Sequence, residues 1–265
     1  MLPSITAQCE SLDIVGDVHG CLEELLELMA ALGYRVERQA ADFAVTPPQG
    51  RKLAFAGDLV NRGPATVDVL RLAMNMTRAG QAFCVAGNHD LSLLKALTDG
   101  TQPVAPFLAQ SMEQLGREPK EFRAQAADFL AELPIYSLFD GGKLAIAHAG
   151  LKEWMLGRSS AEVSQFALLG ETTGQRDEFG VPIRSNWAAD YRGKTLVVYG
   201  HTPVAEPLWQ NNTVNIDTGC VYGGRLTALR YPEQETVSVL ARAIHHRSRR
   251  QFQVNERLAP HPEKA

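Results

Sequence analysis

Three short apolar runs, each ending in a glycine followed by an acid or amide, constrain this chain more than any other feature. "LDIVGD" (Leu12–Asp17), "KLAFAGD" (Lys52–Asp58) and "QAFCVAGN" (Gln81–Asn88) read as buried strands. Between the first two, "CLEELLELMAALG" (Cys21–Gly33) has apolar residues at Leu22, Leu25, Leu26, Met29 and Leu32, which is helical spacing with a glycine stop. "PATVDVLRLAMNMTRAG" opens at Pro64 and closes at Gly80, so it reads as a second helix. The order is βαβαβ, the pattern of a mostly parallel α/β sheet.

The stretch from Leu91 to Leu133 reads as helical. "KLAIAHAG" and "TLVVYGHT" read as later buried strands, and "TVNIDTG", "RLTALRYP" and "ETVSVL" as a meander. After Leu240 the sequence turns basic and polar and reads as a frayed tail. That puts a domain at residues 1–242 and a tail at 243–265. A chain of 265 residues can bury one large α/β core or two small ones. The net charge of −4 argues against a nucleic-acid coat but leaves room for a local basic site. No apolar run approaches 18 residues, so no membrane span is expected. The start, "MLPSITAQCE", has neither a basic nor an apolar leader pattern. The four cysteines (Cys9, Cys21, Cys84, Cys220) are scattered, so a reducing cytoplasm is the expected setting.

Seven histidines are present, three of them in the tail. The other four, His19, His89, His148 and His201, each follow a strand pattern and lie within two residues of a glycine, in "GDVHG", "GNHD", "AHAG" and "GHTP". Asp17 and Asp58 share that context. In a parallel sheet the carboxyl ends of strands face one crevice, so these segments can converge on it. Taken singly, Asp17 reads as well as a helix cap, and His148 as a packed core histidine. Four histidines, two aspartates and Asn88 at strand ends are poorly explained as coincidence. Imidazole with carboxylate and no thiolate cluster suits Mn, Fe, Zn, Ni or Co rather than Ca. A carboxylate has two oxygens, so Asp58 can bridge two ions, and a pair about 3.5–4 Å apart can aim a hydroxide at phosphorus. Arg62, four residues after Asp58, can grip a phosphoryl oxygen bidentately, and Arg184 in "VPIRSNW" offers a second clamp.

Together, "GDVHG", "GDLVNRGP", "GNHD", "HAG" and "GHTP" resemble the phosphoprotein-phosphatase-type (calcineurin-like) metallophosphoesterases, over about Leu12 to Leu240. Within them, "GETTGQRDEFGVPIRSNWAADYRG" and "NNTVNIDTGCVYGGRLTALRYPEQETVSV" are similar to the bacterial bis(5′-nucleosyl)-tetraphosphatases and to the phosphatase module of bacterial polynucleotide kinase-phosphatase. The resemblance implies a four-layer α/β/β/α sandwich with two mixed sheets and a dimetal site at strand ends. It also implies two divalent transition-metal ions, manganese ahead of nickel, iron, zinc or cobalt. Asp17 and His19 would hold the first, Asn88, His148 and His201 the second, and Asp58 would bridge. His89 would protonate the leaving group and Arg62 would bind phosphate. Asp217 would lie close to the metals. "GHTP" lacks the second histidine of more distant relatives, so the first metal leans more on water.

Protein phosphatases and the kinase-phosphatase module carry an aspartate where this chain has Asn61. An amide can accept a hydrogen bond from His89 but cannot stabilise an imidazolium by charge. A poor alkoxide leaving group needs that proton more than a nucleotide leaving from an anhydride does. Asn61 therefore tilts the expected substrate toward bis(5′-nucleosyl) tetraphosphates or related anhydrides. The alternatives are a phosphomonoesterase on phosphoserine/threonine proteins or polynucleotide ends, and a non-catalytic metal- and phosphate-binding module. The expected partner is a small phosphorylated nucleotide, with nucleic acid not favoured. "RGKT" (Arg192–Thr195) lacks the first glycine of a phosphate-binding loop, having Ala188 there, and precedes a strand. Tyr222 and Trp187 can stack on a base or pack in the core, Cys21 reads as packing, and His245 and His246 as solvated.

Overall fold

The computed structural model describes residues 5–7, 11–40, 42–99 and 103–247. Its frame is two mixed sheets stacked face to face. The five-stranded sheet runs Glu235–Leu240, Arg225–Tyr231, Leu12–Val15, Lys52–Phe55, Ala82–Cys84. The last three strands are parallel, as the βαβαβ pattern requires. The six-stranded sheet runs Ile5–Ala7, Tyr136–Phe139, Leu144–Ala147, Leu196–Tyr199, Thr213–Asn215, Leu208–Gln210. Here too the strands Leu144–Ala147, Leu196–Tyr199 and Thr213–Asn215 are parallel neighbours.

Side chains alternate across each strand. Leu12, Ile14 and Ala54 of one sheet meet Leu144, Ile146 and Val198 of the other in an apolar layer between the sheets. The alternate positions Val15, Leu53 and Phe55 face outward onto Leu25, Leu28 and Leu70 of the helices Leu22–Ala31 and Thr66–Arg78. On the far side, Ala147 and Val197 pack with Val163 and Phe166 of the helix Ala161–Leu169. The result is the expected four layers. The central strands Leu12–Val15, Leu144–Ala147 and Leu196–Tyr199 are buried on both faces, which is why their runs read as continuously apolar. Each fully buried Leu or Ile contributes about 1.5–3 kcal/mol relative to exposure. Among the described residues no helix is long and apolar enough to cross a membrane.

The structure departs from the sequence reading in four places. The last three strands are not one meander: Thr213–Asn215 joins the six-stranded sheet, while Arg225–Tyr231 and Glu235–Leu240 pair in the other. The stretch 91–133 is three helices, Asn88–Thr98, Ala109–Gly116 and Lys120–Glu132, with Pro106 and Pro119 at breaks. Two hairpins lie outside that reading: Arg35–Gln39 with Asp42–Thr46, whose Val36, Phe43 and Val45 pack on the core, and the polar Thr172–Arg176 with Pro182–Arg184. The chain after Leu240 stays docked through His246, whose N–H donates to the Val221 carbonyl at 2.9 Å. The rest of the expected tail, 248–265, lies outside the described residues.

Candidate active site

Six parallel strands, three from each sheet, deliver the site. The ends of Leu12–Val15, Lys52–Phe55 and Ala82–Cys84 carry Asp17 and His19, then Asp58, Asn61 and Arg62, then Asn88 and His89. The ends of Leu144–Ala147, Leu196–Tyr199 and Thr213–Asn215 carry His148, His201 and Asp217. The crevice is therefore the seam between two sheets, not the edge of one. The loops pack tightly. A Cβ on Gly63 would run into the His19 carbonyl, and one on Gly87 into the backbone nitrogen and Oδ1 of Asp58. Nine non-glycine residues among those described have positive φ. His19, Asp58, Asn61, Arg62 and His201 are five of them, so backbone strain is concentrated here.

Asp58 is the centre. Its Oδ2 lies 3.5 Å from His19 Nε2 and 3.4 Å from His148 Nε2, and its Oδ1 accepts from the His89 N–H at 2.9 Å. His19 Nδ1 donates to the Val60 carbonyl at 2.9 Å, which turns Nε2 toward Asp58 and toward Asp17, 4.0 Å away. His148 Nδ1 donates to Ala56 O at 3.1 Å, and its Nε2 lies 3.0 Å from both Asn88 Oδ1 and His201 Nδ1. Asp17 accepts from the His201 N–H at 3.2 Å. Arg62 donates to His19 Nε2 at 2.9 Å and Arg184 to His201 Nε2 at 2.7 Å, so the guanidiniums sit against different histidines.

These residues form two groups whose donor atoms lie within 4.8 Å of one another: His19, Asp58 and His89, and Asp58, His148 and His201. They share Asp58. The electrostatics fit cations. Burial, then the neighbouring Asp217, pushes Asp17 well above the usual carboxylate range. Burial, joined by the Asp58 charge, pushes Asp217 up to about 6 against the Gly219 N–H, His148 and Arg62. Burial also works against ionising Asp58, but His148 and His89 outweigh it and hold its carboxyl well below the usual range. Burial lowers His19 and His201 well below the ordinary imidazole value, helped by Arg62 and His148 respectively, which leaves neutral rings whose Nε2 lone pairs accept from Arg62 and Arg184. His148 is the exception: Asp58 and Asp17 overcome burial and pull it up to about 10. A proton there supplies the positive charge that the acid cluster demands. Buried acids and neutral imidazoles converging on one carboxylate are a donor set suited to borderline divalent ions.

The structure thus brings together every residue singled out for the site, with Asp217 at its margin. Asp217 belongs to neither donor group and accepts from the Gly219 N–H at 3.0 Å. His89, expected only as an acid, also stands within the first group. Asn61 differs in detail: its Nδ2 lies 3.3 Å from both His89 Nδ1 and the His89 carbonyl, so the amide donates instead of accepting. Burial, opposed by Asp58 and reinforced by Arg62, brings His89 down to about 4.

Asp90 was not singled out. It is buried, and it accepts from the backbone N–H groups of Leu59 (3.0 Å) and Gly87 (2.9 Å), tying the Asp58 and Asn88 loops together. Its place in "GNHD", opening a helix, was the available signal. Of the two aromatic candidates, Tyr222 lines the cavity of about 390 Å³ over Asp58, while Trp187 packs in the core against Phe166 and Tyr199. Cys21 is buried and donates weakly to His19 O at 3.8 Å, the packing role expected. His246, exposed as expected, also lines that cavity.

Comparison with known proteins agrees with this geometry. The calcineurin-like phosphoesterase family model matches residues 11–205. A bis(5′-nucleosyl)-tetraphosphatase PrpE (asymmetrical) from Anoxybacillus flavithermus is 45% identical over 231 residues, covering 86% of this chain and 93% of that protein. The protein of the same name from Bacillus subtilis is 41% identical over 231 residues, with the same coverage. A solved structure provisionally assigned as a diadenosine tetraphosphatase superposes with TM-score 0.64 at 26% identity, covering 91% of this chain and 99% of that one. A serine/threonine phosphatase from Saccharomyces cerevisiae shares the fold, with TM-score 0.60 at 13% identity over 92% of this chain and 84% of its own. The chain belongs to the calcineurin-like phosphoesterase family.

Proposed function

We propose that this hydrolase cleaves phosphate anhydrides of nucleotides, bis(5′-nucleosyl) tetraphosphates first among them. The observation that carries this reading is the pair of donor groups hinged on Asp58 with an arginine against a histidine of each. The names of the relatives that match most of the chain support the nucleotide substrate.

Asp17, His19 and Asp58 would hold one divalent cation, and Asp58, Asn88, His148 and His201 a second, with manganese the ion assigned first. Such a pair, when bound, supplies Lewis acidity to phosphoryl oxygens. The chain's own groups do the rest. Arg62 and Arg184 orient the phosphoryl group through paired N–H donors. Asn61 donates to His89 Nδ1, which holds the neutral ring with its N–H on Nε2, where it can donate a hydrogen bond to the departing oxygen. A ring held near pKa 4 is a weak base, so it suits a nucleotide leaving group that needs little protonation. Asp217 would stand beside the cations without ligating them. The free thiols of Cys21, Cys84 and Cys220 favour a reducing, cytoplasmic setting.

A substrate panel tests the reading. With manganese or nickel, purified chain should hydrolyse diadenosine tetraphosphate faster than a phosphoserine peptide or a 3′-phosphorylated oligonucleotide. The reverse ranking rejects the anhydride reading in favour of a phosphomonoesterase. Metal binding with no turnover on any of the three points to a non-catalytic module.

A further inference from the structure

The last described residues are latched onto the body and end at the cavity. The Ala241 N–H donates to Gly224 O at 2.9 Å, and the Arg242 N–H to Glu24 Oε1 at 2.8 Å. The Arg242 guanidinium reaches Glu23 at 3.3 Å and Glu27 at 3.1 Å on the same helix. The N–H groups of His245 and His246 both donate to Val221 O, at 3.1 and 2.9 Å. The two rings then diverge. His245 turns to Glu24, 3.6 Å away, while His246 turns to Tyr222, with ring centroids 6.0 Å apart. Arg62 lies over the same Tyr222 ring at 5.5 Å. His246 and Arg247 are exposed, and they line the cavity that holds Asp58 and His89.

We infer that Tyr222, His246 and Arg247, beside Arg62, form a second anion subsite that takes the phosphates of a polyphosphate chain beyond the one under attack. This rests on the phosphohydrolase reading and specifies how the substrate is held. A polyphosphate chain carries negative charge along its whole length, and groups gathered on Asp58 reach only part of it. Arg247 offers a planar fork matched to phosphate oxygens, and His246 a ring donor held in place by its own backbone bond. Tyr222 keeps Arg62 and His246 on one wall of the cavity, so a chain leaving Arg62 meets His246 and Arg247 next.

The test measures binding of two probes, tripolyphosphate and orthophosphate, to the manganese-loaded chain by calorimetry. The wild type should prefer tripolyphosphate. In His246→Ala/Arg247→Ala the ratio of the tripolyphosphate Kd to the orthophosphate Kd should rise about tenfold, the effect of losing one charge-assisted contact. Arg247→Lys should fall between the two. A ratio changed by less than about twofold, or a wild type with no preference, overturns the subsite. A wild type that binds tripolyphosphate in this manner but leaves diadenosine tetraphosphate intact overturns the substrate reading instead and leaves the subsite standing.

Discussion

Asn61 Nδ2 stands 3.3 Å from His89 Nδ1, and the same nitrogen stands 3.3 Å from the His89 carbonyl oxygen. The second contact fixes the first. Turned over, the amide would set its oxygen against a carbonyl oxygen. Asn61 Oδ1 is buried without a hydrogen-bond partner among the described residues, a cost accepted to keep that orientation.

Asn61→Asp replaces this donor with a carboxylate, which favours the charged ring of His89 and raises it from its depressed value. The kcat/KM ratio of an alkyl phosphomonoester to diadenosine tetraphosphate should rise at least about tenfold. An unchanged ratio removes the link between Asn61 and leaving-group preference.

Asp58→Ala removes the residue common to both donor groups. Hydrolysis should fall on the order of 10³-fold, as when a major electrostatic contributor to a transition state is deleted. Bound manganese, measured by elemental analysis, should fall with it. Retention of both by a folded variant would contradict the assigned role.

Gly87→Ala forces a methyl group into Asp58 and should destabilise the fold by about 1–3 kcal/mol. Gly116, at the end of the helix Ala109–Gly116, has nothing within 4 Å of where its Cβ would stand. Gly116→Ala should therefore be neutral or stabilise by about 0.4–1 kcal/mol. Urea midpoints compare the two, and equal shifts would deny the close approach.

The latch should weaken in acid. Burial opposes the Glu24 charge, but His245 and the Arg242 N–H outweigh it and lower the group below its ordinary value of 4.5. A depressed carboxyl contributes fully above its unfolded pKa, and the contribution is lost as pH falls through the folded pKa. Protection factors of the His245 and His246 amides should hold near neutrality and drop once the pH falls below the ordinary carboxyl range. Glu24→Gln should flatten that dependence, and a wild-type profile already flat would exclude Glu24 as its cause.

The site residues were legible because metal and phosphate chemistry demands particular side chains after particular strands. "GDVHG" and "GNHD" announce Asp17, His19, Asn88 and His89 by local pattern alone. What local pattern does not encode is which sheet a buried strand joins. "TVNIDTG" and "RLTALRYP" pair in different sheets because the first finds Leu196–Tyr199 a short way upstream, while the second finds Leu12–Val15 at the opposite end of the chain. The placement of His246 depends on Arg242 meeting Glu23 and Glu27, more than two hundred residues upstream, and the sense of Asn61 depends on one carbonyl oxygen. Polar hairpins such as Thr172–Arg176 with Pro182–Arg184 bury too little to leave a periodic trace.

Half of the reacting constellation hangs from each sheet, so the spacing of the sheets sets its span. Ala54 and Ala56 on one side, and Ile146 and Val198 on the other, fill that interval. Their volumes act as a gauge block: widening any of them moves His19 away from His148 without touching a phosphate. Selection on the chemistry thereby extends to methyl groups that never meet a substrate.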